Sequence, residues 1–440
     1  MPPDAARGDI VGADPVLASP FPLGEVAATA LAACGRAAAE LWALRTGEAQ
    51  RVRVDVGAAA ASLLSFAHQR LDGVTPRRLQ EGNPLVDLYE CRDGRWIHLH
   101  GSFPALAERT RAVLGAGDDI AALVKRWDAQ ALEDALAEAS TCGAMVRTPE
   151  EWAAHPQHDA VQALGRIAVT KVADSEPEPV GDGMRPLGGV RVLDLTRVLA
   201  GPTCGRSLAA HGADVLLVNA PDLPNAGPFV LDTSHGKRSA FIDLDTPQGR
   251  GRLGELVAGC DVFTQGYRSD ALERRGFGVE DVVAVRPGAV YVTVNCYGDD
   301  GPWRARPGWE QLAQAASGIA HVQGGPEGRP RLVPAAACDY TTGYLAAVGA
   351  MTALALRATD GGSYHVQASL CQTAQWILDE GPRCDPADAT GVPDLDRWMV
   401  TSHTPEGELR HLGPIIEMSA TPPRWDRPSP PLGADQPVWS

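Results

Sequence analysis

Two segments of this chain match each other without a gap, and this internal repeat constrains the fold more than any other feature of the sequence. Residues 24–56 and 338–370 both carry a long, alanine-rich apolar stretch without proline, which predicts a buried helix. On this register Asp339, at the start of the second helix, aligns with Glu25 in the first. We therefore expect one fold unit and part of a second copy, with the chemistry kept in the copy that carries the aspartate.

The bulk composition is that of a soluble enzyme with two or three domains. The 440 residues are 44% hydrophobic and 21% charged, which is ordinary for a globular protein with a large core. A formal net charge of −16 argues against general binding to nucleic acid. The longest apolar stretch, residues 343–356, is shorter than the roughly 20 residues of a membrane-spanning helix, so we expect no membrane contact.

The cysteines and the N-terminal residues favour a cytoplasmic protein. The nine cysteines are odd in number and include no CxxC pair, which is typical of reduced thiols in the cytosol. The first residues have neither the basic region nor the apolar region of a signal peptide. None of the 11 histidines has metal-ligand spacing with a cysteine or another histidine, so we predict no metal.

The residue pattern changes along the chain and divides it into five parts. After the Pro- and Gly-rich residues 172–186, short apolar strands alternate with helices, which predicts an α/β fold with a parallel, Rossmann-like sheet. Before them, a hairpin at 85–101 and several helices predict a smaller α+β domain. We predict a flexible arm, a helix–strand segment with the small domain, a linker, the large domain and a wrapping C-terminal tail, in that order, at residues 1–20, 21–171, 172–186, 187–375 and 376–440.

Six sequence motifs follow one another between residues 187 and 370. They are LGGVRVLDLTRVLAGP, GADVLLV, HGKRSAFIDLDTPQGR, YRSDALERRGFG, YGDDGPWRARPGWEQLAQAASG and CDYTTGY. This ordered set resembles class III CoA-transferases, the family of formyl-CoA:oxalate and carnitine CoA-transferases and of α-methylacyl-CoA racemases. DGRWIHLHG and CGAMVRTPEEWAAHPQ, earlier in the chain, resemble the small domain of the same family. The resemblance implies one family unit in permuted order, with its helix–strand segment duplicated.

The resemblance implies a CoA-transferase that moves CoA between carboxylic acids, with Asp339 as the nucleophile. The aspartate would attack the acyl-CoA thioester to form a mixed anhydride, which the CoA thiolate then converts into an aspartyl-CoA thioester. An aspartate before an apolar helix is also a good N-cap, and the two roles are compatible because a helix N-terminus favours the ionised carboxylate. Glu25 is one methylene longer and has no Rossmann segment in its own copy, so we interpret it as structural.

The resemblance also places three residues in the acyl pocket. Trp309 stands where the racemases of the family have a histidine, and an indole cannot exchange a proton at neutral pH, so racemisation is not expected. The alternative for Trp309 is a plain core aromatic. Leu199 stands where formyl-CoA transferases have a glutamine, which argues against formyl-CoA and oxalate as substrates. Tyr297, in the same motif as Trp309, completes this predicted pocket.

Five cationic residues are candidates for binding the CoA phosphates, for which arginine is well suited because of its bidentate fork. They are Arg197, Lys237, Arg238, Arg268 and Arg304. The alternative for each of them is a solvated surface charge. Val218-Asn219-Ala220 replaces the Lys-x-Glu that the family has after its second strand, which removes a charged residue near the expected adenosine site.

The expected partners are an acyl-CoA and a carboxylic acid, and the interlocked chains of the family imply a homodimer. Two other functions stay open at this point. A non-catalytic or repurposed homologue would use the cleft to bind a ligand or a partner. The other alternative, against which Trp309 argues, is a family member that catalyses racemisation or another reaction of a CoA ester. Binding of CoA and exchange of an α-proton, respectively, discriminate these from a transferase.

Overall fold

The structure, a computed structural model, describes residues 9–77, 81–181, 183–268, 270–325 and 328–439. The strands are β1 (Asp9–Val11), β2 (Val52–Asp55), β3 (Arg70–Leu71), β4 (Val86–Glu90), β5 (Trp96–His100), β6 (Gly143–Met145), β7 (Ala168–Ala173), β8 (Arg191–Leu195), β9 (Asp214–Asn219), β10 (Lys237–Phe241), β11 (Val262–Gln265), β12 (Val290–Asn295), β13 (Ser363–Ser369), β14 (Met399–Thr404), β15 (Gly407–Leu412) and β16 (Glu417–Met418). The α-helices are α1 (Leu23–Thr46), α2 (Val56–Ser62), α3 (Ser65–His68), α4 (Pro104–Leu114), α5 (Ile120–Val124), α6 (Ala129–Glu138), α7 (Pro149–Ala153), α8 (Pro156–Ala163), α9 (Ala200–Ala210), α10 (Gly227–Thr233), α11 (Pro247–Ala258), α12 (Val279–Val285), α13 (Glu310–Ser317), α14 (Ile319–Gly324), α15 (Ala337–Asp360) and α16 (Leu370–Glu380).

A seven-stranded sheet, counted over the described residues, is the centre of the fold. Its order is β10-β9-β8-β11-β12-β13-β7, with all neighbours parallel except the antiparallel edge strand β7. Most residues of β8, β9 and β12 are buried, as expected for parallel strands with helices on both faces. The predicted Rossmann-like α/β class is confirmed. The strand order reverses between β8 and β11, which is where α/β sheets form ligand crevices at the carboxyl ends of their strands.

The strand boundaries differ from the prediction at two places in this sheet. The run FIDLD at 241–245 predicts a strand from its sequence, but β10 begins at Lys237, because residues 237–240 are buried beside β9 and pair with it in register. β7 extends to Ala173 on the edge of the sheet, so the first two residues of the predicted linker belong to a strand. The alternation of apolar residues predicted that strands exist here, whereas pairing with the neighbour decides where they start and end.

Smaller elements surround the central sheet. The hairpin predicted at 85–101 is confirmed as β4 and β5, which form a three-stranded sheet with β6 and share a separate core with α4, α5 and α6. Thr148 and Glu151, which have the spacing of a capping box in the sequence, form one at the start of α7. In the C-terminal region, β14 and β15 pair with each other, and β16 pairs with β2. No described helix is both long enough and apolar enough to cross a membrane.

The internal repeat of the sequence is also a structural repeat. α1 and α15 both have 24 residues, with Glu25 and Asp339 as the third residue of each, and they pack against each other. Each leads through a strand into a second helix, capped by the side chain of Asp55 in one copy and Ser369 in the other. β1 is parallel and β16 antiparallel to β2, as β12 and β7 are to β13. The first copy therefore keeps the end of a Rossmann-like unit.

The described part of the predicted flexible arm is packed against the first copy. Residues 1–8 lie outside the described residues. From Asp9 the chain forms β1 beside β2, and Val16 and Leu17 are buried. The prediction of a loose arm is therefore wrong for residues 9–20, because these residues complete the small sheet of the repeat.

Glycine positions the helix that carries Asp339. A Cβ atom at Gly343 would lie 2.5 Å from the carbonyl oxygen of Ala200 and 2.6 Å from the Cβ atom of Thr203, both in α9. Only a residue without a side chain allows α9 and α15 to approach this closely. The contact brings the N-terminus of α9 next to the first turn of α15.

We expect Gly343→Ala to lower the free energy of unfolding by about 1–3 kcal/mol, because the new methyl group forces α9 and α15 apart. Gly251→Ala is the matched control, since this glycine lies in α11, where an added methyl group would meet no atom within 4 Å. The control is expected to raise stability by up to about 1 kcal/mol through helix propensity. Urea unfolding midpoints measure both changes, and equal effects of the two substitutions would contradict the close contact.

Candidate active site

Asp339 lies in a cleft between the central sheet and the first half of the chain. The cleft has a volume of about 270 Å³. From the first half it is lined by Phe66, Glu81 and His100. In the second half, the loop after β8 contributes Val198 and Leu199, and helix α10 contributes Phe229. The start of α13 contributes Trp309, Glu310 and Gln311, and the start of α15 contributes Ala336 and Asp339. Both halves of the chain therefore form one site.

A second carboxylate, Glu310, holds the N-terminus of the helix that carries Asp339. Helix α15 has Ala336 as its N-cap and no side-chain cap of its own. Instead, the Cys338 and Asp339 backbone N–H groups donate to the two carboxylate oxygens of Glu310, at 3.1 and 2.5 Å. Gln314 also donates to Glu310, at 2.6 Å. Asp339 is thus not the N-cap that the sequence suggested, and its own carboxylate does not bind the amides of its helix.

The surroundings of Asp339 disfavour its negative charge. Burial and the nearby Glu310 carboxylate raise the pKa of Asp339 well above its ordinary value, whereas a hydrogen bond from the Ala200 backbone N–H opposes this shift. Burial also raises the pKa of Glu310, although its hydrogen bonds from two backbone amides and Gln314 favour the charged form. Two carboxyl groups with different partners therefore lie side by side in the lining of the cleft, and Glu310 is the one that binds the backbone amides of α15.

The loop between β8 and α9 forms one wall of the cleft and is strained. Val198 has a φ of +71°, a left-handed conformation that is rare for a β-branched residue. Leu199 follows as the N-cap of α9, and Ala200 is the residue whose N–H reaches Asp339. Strained backbone at such a place is commonly maintained because it positions functional groups.

The predicted pocket residues Trp309 and Leu199 line the cleft, whereas Tyr297 packs elsewhere. Trp309 is the N-cap residue of α13, and its ring lies 5.7 Å from that of His100 and 5.8 Å from that of Phe103. The Tyr297 ring is buried against Trp303, with 5.2 Å between the ring centres. Tyr297 is therefore part of the core behind the site.

A buried hydrogen-bond network supports α15 just behind Asp339. The Tyr340 hydroxyl donates to Asp232 at 2.8 Å and accepts from the Phe66 backbone N–H at 3.1 Å. Asp232 also forms an ion pair with Arg206 at 2.9 Å and accepts a hydrogen bond from Ser65. This network joins α3 of the first half to α9, α10 and α15 of the second. The network therefore connects the two halves of the chain that form the cleft.

The five cationic candidates do not converge on one site. Lys237 is fully buried, and its ammonium group contacts Asp194 and the Pro202 carbonyl oxygen, both at 2.8 Å. Arg238 is almost as buried and forms an ion pair with Asp214 at 3.0 Å. These two positions do not fit the predicted role in phosphate binding, because each charge is already neutralised inside the protein.

Arg197, Arg268 and Arg304 remain accessible in two different places. Arg197 lies over the Phe103 ring at 5.5 Å and lines a narrow cavity next to the cleft. Arg268 and Arg304 line a separate, open cavity at the carboxyl ends of β11 and β12. Several carboxylates share that second cavity, namely Glu273, Glu280, Asp281 and Asp299. Arg197 directly precedes Val198, which lines both its cavity and the Asp339 cleft, whereas Arg268 and Arg304 line a different cavity.

Glu25 occupies the position on α1 that Asp339 has on α15, but its surroundings differ. Its backbone N–H donates to Asp14 at 2.7 Å, as that of Asp339 does to Glu310. The Glu25 carboxylate itself forms an ion pair with Arg383. Its charge is neutralised there, which agrees with the structural role we expected.

Sequence reasoning missed several cleft residues. Glu310 directly follows Trp309, and the signal for it was a carboxylate at the start of an amphipathic helix, which is ordinarily a favourable charge near a helix N-terminus. Phe66, His100 and Phe229 come from distant parts of the chain, and no local pattern connects them with Asp339. In the described parts of the chain, no group of three or more His, Cys, Asp or Glu residues is arranged to hold a metal ion.

The chain is similar to known proteins in both of its halves. Residues 10–176 and 187–383 match CoA-transferase family III. The chain is 35% identical over 337 residues to an acyl-CoA transferase of Gibberella moniliformis, covering 68% of this chain and 58% of that protein. It is 34% identical over 206 residues to the succinyl-CoA:glutarate CoA-transferase of Mus musculus, covering 44% of this chain and 47% of the relative. A solved CAIB/BAIF family protein from Brucella suis is 26% identical with a TM-score of 0.43, covering 51% and 65% of the two chains.

The match to the family decides the class of the protein. The family match extends over both halves of the chain and leaves out only residues 177–186 between them, which lie within the predicted linker. The chain therefore belongs to CoA-transferase family III. It spans about half the length of the curated relatives it matches.

We expect Asp339→Asn to raise the thermal unfolding midpoint at pH 7. The pKa of the Asp339 carboxyl group is raised above 3.8, the ordinary value that an aspartate has in an unfolded chain. The folded protein therefore binds the proton of this carboxyl group more tightly than the unfolded chain does. Stability is therefore lost as the pH rises above about 4, and the loss is complete above the pKa in the folded state. Asparagine does not ionise, so the gain should disappear as the pH falls towards 4.

Asp232→Asn is the matched control, since it removes a buried carboxylate that is paired. It should destabilise the protein by about 3 kcal/mol, because it leaves Arg206 buried without its counter-ion. Midpoints for both variants between pH 4 and 8 test the assignment. A loss of stability at pH 7 in Asp339→Asn would show that the aspartate is a structural residue.

Proposed function

We propose that this protein is a CoA-transferase that moves CoA between two carboxylic acids through covalent intermediates on Asp339. The observation that carries the proposal is the Asp339 carboxylate, which lines a cleft at the N-terminus of α15 while Glu310 takes over the capping of that helix. A carboxylate that is free of capping can react. Membership of CoA-transferase family III supports the same reaction class.

The reaction begins when an Asp339 oxygen attacks the thioester carbonyl carbon of the donor acyl-CoA. The carbon–sulfur bond breaks, CoA leaves as a thiolate and a mixed anhydride remains on Asp339. The thiolate then attacks the aspartyl carbonyl carbon, which releases the donor acid as a carboxylate and leaves an aspartyl-CoA thioester. The acceptor carboxylate repeats both steps in reverse order, which forms the new acyl-CoA and restores Asp339. Charge and atoms balance without an added proton donor.

The surroundings of Asp339 suit this chemistry. A carboxylate whose charge is poorly stabilised is a stronger nucleophile, and acylation removes the charge that burial disfavours. The Ala200 N–H opposes the rise in the pKa of Asp339 and so helps to keep a fraction of it ionised. Phe66, Phe229 and Trp309 around the cleft would limit the access of water to the anhydride.

We further propose that CoA extends from Asp339 past Arg197. The narrow cavity beside Arg197 lies at the carboxyl ends of β8 and β9 and also contains Asn219 and Ser234. Within the described residues, the Arg197 Nε, Asn219 Oδ1 and Ser234 Oγ atoms have no hydrogen-bond partner, which is unusual for buried polar groups. The sugar and phosphate groups of CoA would supply such partners. Arg268 and Arg304 are weaker candidates because of the carboxylates around them.

A homodimer and a cytoplasmic location remain predictions from the family resemblance and the composition. An acyl-CoA and a carboxylic acid are the substrates of the proposed reaction.

We expect Asp339→Ala to reduce CoA transfer by more than about 10³-fold, because it removes the only atoms proposed to carry the acyl group. Incubation of the unchanged protein with acyl-CoA donors, followed by mass spectrometry, should find an acyl or CoA adduct on the peptide that contains Asp339. Glu25→Ala is the control in the equivalent position of the first copy and should retain activity within about threefold. Undiminished transfer in Asp339→Ala would exclude the proposed intermediate, and no CoA binding at millimolar concentration would favour a non-catalytic homologue.

The kcat/KM for transfer should fall at acid pH as Asp339 becomes protonated. Glu310→Gln should move this fall to lower pH, because the negative charge of Glu310 is one of the causes that raise the pKa of Asp339. Asp14→Asn removes the equivalent carboxylate in the first copy and should leave the profile unchanged. Identical profiles in Glu310→Gln and the unchanged protein would show that the two carboxyl groups do not interact.

A further inference from the structure

The wall of the cleft beyond Asp339 is mainly apolar and aromatic. Phe66 and Phe229 meet edge to face, with their ring centres 5.0 Å apart. Val198 and Leu199 form one side of the cleft, and Trp309 contributes an aromatic surface opposite His100. Surfaces of this composition stabilise bound groups by removing apolar area from water.

The ionisable groups of the cleft have the wrong sign for a second carboxylate. Glu81, Glu310 and Asp339 are all acidic, and among the described residues that line the cleft there is no Arg or Lys. Burial and the neighbouring His98 lower the pKa of His100 well below its ordinary value, so this side chain is neutral. A carboxylate at the far end of an acyl group would lose its hydration here without gaining a counter-ion.

Arg197, which directly precedes the cleft residue Val198, lines a different cavity. The Arg197 guanidinium group donates a hydrogen bond to the Pro224 carbonyl oxygen and lines the neighbouring narrow cavity. Phe103 lies between it and the cleft, since its ring contacts both Arg197 and Trp309. Arg197 is therefore placed to meet the CoA part of a substrate and not the end of its acyl group.

We infer that the acyl pocket of this protein selects monocarboxylic acids with an uncharged, apolar body, and that it rejects dicarboxylic acids. The inference rests on the proposed transfer reaction and adds the substrate class to it. It separates this chain from the relatives that are named for succinyl-CoA and glutarate, both of which carry a second carboxylate.

Two thioesters of equal shape test the inference. In 4-methylpentanoyl-CoA an isopropyl group replaces the terminal carboxylate of succinyl-CoA, atom for atom among the heavy atoms. With a common acceptor acid, we expect kcat/KM for 4-methylpentanoyl-CoA to exceed that for succinyl-CoA by at least about 100-fold. Equal values, or a preference for succinyl-CoA, would overturn the inference while leaving the transfer reaction intact.

A charge substitution in the cleft provides a second, independent measurement. Glu81 is exposed and lines the cleft. Glu81→Gln should raise the ratio of kcat/KM for succinyl-CoA to kcat/KM for 4-methylpentanoyl-CoA about fivefold, because it removes a charge that repels only the terminal carboxylate. Glu48→Gln is the control, an exposed glutamate that is not among the cleft residues. The same change with both thioesters in Glu81→Gln would contradict the proposed charge effect.

Binding measurements keep the inference testable if no transfer is found. Calorimetry with the Asp339→Asn protein should show at least tenfold tighter binding of 4-methylpentanoyl-CoA than of succinyl-CoA. That result, together with no turnover by the unchanged protein, would contradict the proposed function and support the pocket specificity. Equal binding, or no binding of either thioester, would overturn the specificity as well.

Discussion

The close packing of α15 against its neighbours is the constraint on which the site depends. This helix contacts α1, α9, α16 and the β12–β13 part of the sheet, and most of its residues are buried. Gly343 admits α9 on one side, and Gly349 admits Val366 of β13 on another. Helices that meet along small residues have few alternative arrangements, because a shift of either would cause a collision of backbone atoms. The carboxylate of Asp339 is therefore positioned by rigid elements and not by a mobile loop.

In each copy of the repeat, the carboxylate that caps the long helix is not the carboxylate that the helix itself carries near its start. In each copy an inner carboxylate, Glu310 or Asp14, accepts a hydrogen bond from the first turn of the long helix. The carboxylate on the long helix is Glu25 in the first copy, where it forms an ion pair with Arg383. In the second copy it is Asp339, which lines the cleft. Capping by an inner acid is thus a property of the fold unit itself. What makes Asp339 different from Glu25 is the absence of a cationic partner among the described contacts of its carboxylate and the presence of a cavity beside it.

The sequence predicted the fold class, the repeat and the position of the candidate nucleophile, because apolar periodicity and the family motifs are local signals. It placed Trp309 and Leu199 in the cleft for the same reason. It could not predict that Lys237 forms a buried ion pair with Asp194. The two residues lie 43 positions apart in the sequence, and only the parallel sheet brings them together. Phe66 and His100 reach the cleft through contacts between the two halves, which no motif in either half describes. Tyr297 was assigned from its neighbourhood in the motif, but the loop directs its ring towards Trp303.

The joining of both halves in one chain changes how the cleft is assembled. Phe66 and His100 on one side and Asp339 on the other are connected by the same polypeptide, and α1 rests on α15 as one folded body. Two such halves on separate chains would come apart on dilution, with a dissociation constant that limits the occupied fraction. Here the effective concentration of one half beside the other is set by the connecting chain and not by the amount of protein. The cleft should therefore have the same walls in a dilute solution as in a crowded one.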